Sequence, residues 1–383
     1  MDEKIRKTKI IIIQRYLVHY RERFFQELSK ENPDFDIVLY HGGSMTGDVN
    51  WLPSGFDHVQ YKNYKLNLFG YSLVFQPEIL GSIIRHSPDL LVIEGTFGIV
   101  TNILALLWRK IFHKKTIYWS AGWDNPGVDG WKRSIKNRII SLLIRMADGA
   151  IVYGSTARNY FINHGMSQEK LYIAQNTIDV EGIISQQNKW FLQGEEIRKK
   201  YKLQNKKLLI YVGGISKLKR VGVLLEAVEI IVKTNKDFSC LIVGDGPMKD
   251  ELITWCNQRK LDQVIFTGEI INGVESYIAA ADCFVLPGIG GLAINQAMAL
   301  KKPIITSIAD GTQEDLVIPG GNGYIIDVDS TESLVGSILK VFDDKRQSLS
   351  MGNKSQEIIL AKASLKNMVT QFSIAMNEVI AKK

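Results

Sequence analysis

Lys219 follows the pair Gly213-Gly214 across a short loop, and Gly290-Gly291-Leu292 stands just ahead of a helical run containing Gln296. A further turn, Gly244-Asp245-Gly246-Pro247, lies between them. These residue types suit one kind of chemistry, the holding of a phosphate. Glycine lets the backbone bend sharply and approach a ligand, because no Cβ stands in the way. A helix that follows offers unpaired N–H groups and the positive end of its dipole. The ammonium of Lys219 would add a compact positive charge at the turn. The plainer alternative for Lys219 is a solvated loop lysine. For Gly244 and Gly246, the turn and close packing come before direct ligand contact.

The elements that must position these residues read as a βα series. Apolar runs at 208–212, 238–243 and 283–286 each end in a glycine turn and lead into a helix, the last from Ala293 to Leu300. Three such turns in register make a nucleotide-binding half. Upstream, strands are expected at 8–14, 35–40, 90–93, 115–119, 149–153 and 171–174, separated by helices, which argues for a second parallel sheet. Residues 51–75 are aromatic and irregular, and 181–206 are polar and helix-like, a connection between domains. The expected division is 1–180, the connection 181–206, a second domain 207–352 and a helical tail 353–383 returning to the first. Asp329 or Ser330 would cap the last helix of the second domain, and Glu314 either caps the helix after Gly311 or meets a ligand.

Composition narrows the function classes. With 383 residues, two domains are favoured, and 45% hydrophobic and 23% charged content is that of a soluble globular chain. The apolar stretch nearest to a membrane span, 99–112, is interrupted by Thr101, Asn102, Arg109 and Lys110. The charged N-terminus and four isoleucines read as a first strand rather than a leader. Three scattered cysteines are too few for a disulfide framework or a zinc site, so buried thiols in a reducing cytoplasm are expected. Net charge is +7, and residues 101–158 alone hold ten Lys/Arg against three acids. No aromatic RNA-binding or DNA-reading motif accompanies that charge, so nucleic acid ranks low and no nucleic-acid partner is expected. The basic helix at 131–147 is either an ordinary surface helix or a dock for an anionic membrane. Two Asp-x-Asp triplets, Asp34 to Asp36 and Asp327 to Asp329, sit before a strand and before a helix cap and read as structural.

The second half resembles the donor domain of retaining glycosyltransferases of family 4. The residues that carry the resemblance are Tyr211-Val212-Gly213-Gly214 with Lys219, Ile242-Val243-Gly244-Asp245-Gly246-Pro247, Phe266-Thr267-Gly268-Glu269, Ala279 to Pro287, Gln296-Ala297-Met298-Ala299 and Asn322-Gly323. The first half is similar only in its βα rhythm and in Asn176-Thr177-Ile178-Asp179. The resemblance implies an α/β protein of GT-B fold, with two Rossmann-like, doubly wound parallel-sheet domains facing a central cleft. It implies that Lys219 pairs with a donor diphosphate and that Gly290, Gly291 and Leu292 cap it with backbone amides. Glu269 and Ile270 would read the nucleotide base, and Gln296 would meet the ribose. Gly214 stands where relatives carry a second arginine. The loop after Pro287 is shorter and lacks the first of two glutamates, and Gln296 replaces the second.

On the acceptor side, Arg15, Tyr20, Arg21, Glu94 and Trp123 follow strands of the first domain and are the binding candidates. His19 and Asp124 join Lys219 as catalytic candidates, although a lone histidine is more often structural. The implied activity is transfer, with retention, of a sugar from a nucleotide diphosphate (UDP before GDP) to a glycan or lipid-linked glycan hydroxyl. No metal or other cofactor is expected. The location implied is cytoplasmic, with docking on the cytoplasmic face of a membrane left open. The alternatives are a sugar-nucleotide epimerase of the same fold and a non-catalytic nucleotide-binding subunit.

Overall fold

Continuous apolar runs, rather than alternating ones, build the two sheets, as parallel strands covered on both faces require. Ile10 to Ile13 and Leu208 to Tyr211 are no more than 1% exposed. The computed structural model describes residues 6–43, 53–68, 71–95, 99–122, 131–308 and 311–382, with 67, 68, 71, 72 and 131–135 described by backbone alone. The chain divides into two units, Met1–Gln175 with Lys366–Lys383, and Asn176–Leu365.

The first unit holds strands β1 (Thr8–Gln14), β2 (Phe35–His41), β3 (Asp57–Gln60), β4 (Tyr64–Leu68), β5 (Tyr71–Phe75), β6 (Leu90–Glu94), β7 (Lys115–Ser120), β8 (Gly149–Val152) and β9 (Leu171–Ile173). Seven of them form a parallel sheet in the order β3-β2-β1-β6-β7-β8-β9. The stretch 51–75, expected to be irregular, supplies the edge strand β3 and the antiparallel pair β4–β5. Tyr64 and Leu66 are exposed there, so no burial pattern announces a strand. Phe372 of the helix Leu365–Ala381 lies 4.8 Å from the rings of both Phe24 and Trp119, which ties the end of the chain into this core.

The second unit holds β10 (Lys207–Val212), β11 (Phe238–Val243), β12 (Val264–Gly268), β13 (Cys283–Leu286), β14 (Ile304–Ser307) and β15 (Gly323–Ile326). Its parallel order is β12-β11-β10-β13-β14-β15. In each sheet the chain fills one side of its first strand and then crosses to the other. Ligands of such sheets sit beyond the strands' carboxyl ends at that crossover. The crossovers are β1/β6 in the first unit and β10/β13 in the second.

Residues 181–206 are not a free connection. They form the helices Val180–Ser185 and Gln187–Lys200, and the second is built into the second unit. Gly194 rests on the next helix so closely that a Cβ would lie 2.8 Å from the Ala280 nitrogen. Arg198 donates to the carbonyls of Ala280 (2.7 Å), Leu203 (3.1 Å) and Lys206 (3.0 Å) and pairs with Asp282 at 2.8 Å. Asp282 in turn accepts from the Leu208 amide at 2.8 Å, so one guanidinium joins this helix to the starts of β10 and β13. The expected tail also differs. Lys345–Lys362 is one helix of the second unit, because Gly352 lies against the Lys301 carbonyl, and only the chain from Lys366 groups with the first unit. Ser330 is the cap of Thr331–Asp343, while Asp329 pairs with Arg220.

Arg198→Ala removes the partner of a partly buried carboxylate and leaves three carbonyls short of a donor. It is expected to lower stability by about 2–4 kcal/mol in urea unfolding. A loss below about 0.5 kcal/mol, the size usual for an exposed residue, would contradict the structural role given to this helix.

Candidate functional site

The residues singled out in the second unit gather at the carboxyl ends of β10 to β13. Gly213 follows β10 and Gly244 follows β11, and the two turns interlock. A Cβ on Gly244 would lie 2.0 Å from the Gly213 carbonyl oxygen, and one on Gly246 would lie 2.4 Å from that of Ile215. Ile215 donates its amide to Asp245 at 2.8 Å. Both glycines are therefore required by the approach of two backbones. Gly268, Glu269 and Ile270 follow β12, with the Gly268 carbonyl accepting from the Gly244 amide at 2.9 Å and Glu269 exposed.

The loop after β13 sits directly on the turn Lys217–Lys219. Gly288 approaches it so closely that a Cβ would fall 2.4 Å from the Leu218 oxygen. Ile289 donates its amide to that same oxygen at 3.0 Å. The Lys219 ammonium donates to the carbonyls of Ile289 (2.8 Å) and Gly290 (2.5 Å). It lies 3.6 Å from where a Gly291 Cβ would be. Lys219, Gly290 and Gly291 are thus brought together at the β10/β13 crossover, and Leu292 leads into the helix Ala293–Ala299. Asn295 of that helix donates to the Asn176 carbonyl (3.2 Å) and the Thr177 hydroxyl (3.3 Å). Asp179 caps the helix Val180–Ser185 through the Gly182 amide at 2.9 Å, so the stretch 176–179 supports the site from behind.

Gln296 donates its amide to the Glu275 carboxylate at 3.0 Å. Glu275, on the helix Val274–Ala280, brings a negative charge to the position where the sequence shows only a neutral amide. It was missed because it belongs to another helix, and no spacing in the chain joins it to Gln296. Glu314 lies in the first turn of Thr312–Leu316, where an acid favours the helix start.

In the first unit, Arg15 and Glu94 meet at the β1/β6 crossover, where the Arg15 amide donates to the Glu94 carboxylate at 2.7 Å. Arg21 stacks on Trp119, its guanidinium carbon 4.4 Å from the ring centre, and donates to the Tyr153 hydroxyl at 2.6 Å. Tyr20 lies beside it at 5.8 Å. Trp119 and Tyr153 were not among the sequence candidates, since a strand tryptophan and a strand-end tyrosine read as core. His19 is exposed and meets the Tyr20 ring edge-on at 6.0 Å. Trp123 and Asp124 lie outside the described residues. Of the Asp-x-Asp triplets, Asp36 faces Lys9 at 3.9 Å and Asp329 pairs with Arg220 at 2.6 Å. Burial raises the thiol pKa of Cys240, Cys256 and Cys283, so all three are held as neutral thiols.

Residues 193–358 match a family model described as Glycosyl transferases group 1. The chain is 26% identical over 175 residues to an alpha-D-kanosaminyltransferase of Streptomyces kanamyceticus, covering 44% of this chain and 45% of that one. It is 23% identical over 347 residues to the capsular polysaccharide biosynthesis glycosyltransferase CapM of Staphylococcus aureus, covering 88% of each. The chain spans about half the length of the curated relatives it matches first. The solved structure of HepE from Anabaena in complex with UDP superposes with a TM-score of 0.77 at 16% identity, over 97% of this chain and 100% of that one. The two parallel-sheet units are those of the GT-B fold, as the sequence leads one to expect. The family model supports a glycosyltransferase of that fold.

Gly288→Ala must push the two crossover loops apart, since the obstructing atoms are backbone. It is expected to cost about 1–3 kcal/mol, as overpacking does. Gly291→Ala meets only an ordinary contact with the Lys219 ammonium and is expected to leave the unfolding free energy within about 0.5 kcal/mol of the parent. Equal effects of the two substitutions in thermal unfolding would contradict the packing described.

Proposed function

We infer that this chain is a retaining, metal-independent glycosyltransferase. In this reading it moves a sugar from a nucleotide diphosphate, UDP rather than GDP, to a hydroxyl of a glycan or lipid-linked glycan. The observation that carries the reading is the fixing of the Lys219 ammonium beside Gly291 at the β10/β13 crossover. As the anomeric bond breaks, negative charge builds on the leaving diphosphate. Donors held in place beforehand stabilise that charge without reorganising at the moment of reaction. Two carbonyls hold the ammonium in position, and the backbone of Gly291 and Leu292 at the start of the next helix adds amide dipoles of the same sense. Retention would follow from attack on the face the diphosphate leaves, with no covalent enzyme intermediate. The Gln296–Glu275 pair is the element assigned to the ribose, a neutral amide backed by a carboxylate. In the first unit, Arg15, Tyr20, Arg21 and Glu94 form the acceptor site.

Docking on an anionic membrane is a second part of this reading, supported by the surface of two helices. Val100–Ile111 and Trp131–Met146 pack side by side. They leave Leu107 (47%), Ile111 (70%), Phe112 (53%) and Leu142 (62%) exposed. Arg138 and Arg145 are exposed on the second helix. Apolar side chains rimmed by cations suit the boundary between headgroups and acyl chains. Among the described residues, no helix is long and apolar enough to cross a membrane.

Lys219→Met is expected to lower kcat/KM for sugar transfer by about 100-fold or more while the protein stays folded, the scale seen when one oxyanion-stabilising donor is lost. Undiminished transfer would overturn the assignment. Interconversion of the donor with no acceptor present would instead identify an epimerase. Nucleotide binding with no release of diphosphate from any donor would identify a binding subunit. In flotation, vesicles containing anionic lipid should recover the protein and neutral vesicles should not. Leu107→Ser with Ile111→Ser, or Arg138→Glu with Arg145→Glu, should abolish recovery. Equal recovery in all arms would contradict docking.

A further inference from the structure

The crossover of the first unit brings two guanidinium side chains, Arg15 and Arg21, to one carboxylate, Glu94, which accepts from the Arg15 amide and whose charge also acts on Arg21. Arg15 is the first residue after β1 and Glu94 the last of β6, and the Arg15 amide spans the crossover to the Glu94 carboxylate. Asn102 donates to the Glu94 carbonyl at 2.5 Å and holds that strand end in place. Arg21 closes the short turn His19–Arg21 and places its guanidinium carbon 4.4 Å from the centre of the Trp119 ring, at the ends of β7 and β8. A guanidinium carries five N–H donors in a rigid fork. Arg21 gives one of them to Tyr153, and the Glu94 carboxylate acts on it through its charge, not through a direct ion pair among the described residues. The Nε atoms of both Arg21 and Arg15 are buried and find no acceptor. Nearby, the side-chain oxygens of Gln14 and Asn102 are buried and find no donor. Buried polar atoms are nearly always paired, so a concentration of unpaired ones at a crossover marks the seat of a ligand.

We propose that this crossover binds an anionic sugar unit, whose phosphate or carboxylate is gripped by Arg21 and Arg15 and whose hydroxyls meet Gln14 and Asn102. The proposal rests on the reading of the first unit as the acceptor site and names the acceptor's chemistry. A planar fork matches two oxygens of one phosphate or carboxylate, which a neutral hydroxyl cannot do.

The test uses the full chain saturated with UDP, so that the proposed donor site is filled, and titrates it by calorimetry with glucose 6-phosphate, glucuronate and glucose. At least one of the two charged sugars is expected to bind saturably and glucose at least tenfold more weakly. The charged sugar that binds identifies the group. Arg21→Gln should weaken that binding at least tenfold, and Arg21→Lys should weaken it less. If Arg21→Gln does not fold, Arg15→Gln must show the loss instead. Equal binding of glucose, binding that survives the arginine substitutions, or no binding of either charged sugar would overturn the proposal. Failure of UDP itself to bind would count against the donor assignment alone, since the sugar titrations can be read without it.

Discussion

The second unit depends on the contact between two backbones at the β10/β13 crossover. Gly288 lets the loop after β13 rest on the turn Lys217–Lys219, and the ammonium of Lys219 reaches into the same loop to close the contact from the other side. The two features need each other. A Cβ at position 288 would lift the loop from the carbonyl of Leu218, and without Lys219 the carbonyls of Ile289 and Gly290 would lose their charged donor. An ammonium fixed by carbonyls stays aimed with little loss of entropy when a ligand arrives.

The same topology appears twice, and each copy carries cations at its crossover. In the second unit a single ammonium is held by backbone oxygens. In the first, the guanidiniums of Arg15 and Arg21 lie over the rings of Tyr16 and Trp119, and the Arg15 amide binds the Glu94 carboxylate. The difference fits the chemistry proposed for each. A point charge on a short tether suits a diphosphate whose charge grows during reaction, while a planar fork suits a bound group that must be recognised in one orientation. The support behind each site is also distinct. Asn295 and the segment 176–179 brace the helix Ala293–Ala299, and Phe372 braces Trp119.

Much of the fold was legible because buried parallel strands write themselves as unbroken apolar runs, as at Ile10 to Ile13 and Leu208 to Tyr211. The glycine turns were legible for the same local reason, and Lys219 and Gly291 do meet. What could not be read depends on partners far apart in the chain. Residues 181–206 looked like a linker because their polar surface hides the packing of Gly194 and the bonds of Arg198, whose acceptors include Ala280 and Asp282. The pairing of Glu275 with Gln296 leaves no trace in spacing, and neither does the stacking of Arg21 on Trp119. Strands β3 to β5 escaped notice because they lie at an edge or apart from the main sheet, where alternation is not enforced by a core.

The most direct measurement is a crystal structure of the full chain with UDP. The account predicts a diphosphate oxygen within about 2.7–3.2 Å of the Lys219 Nζ, with the Gly291 backbone on the same phosphate. A diphosphate seated elsewhere, with Lys219 still directed at the carbonyls of Ile289 and Gly290, would contradict it.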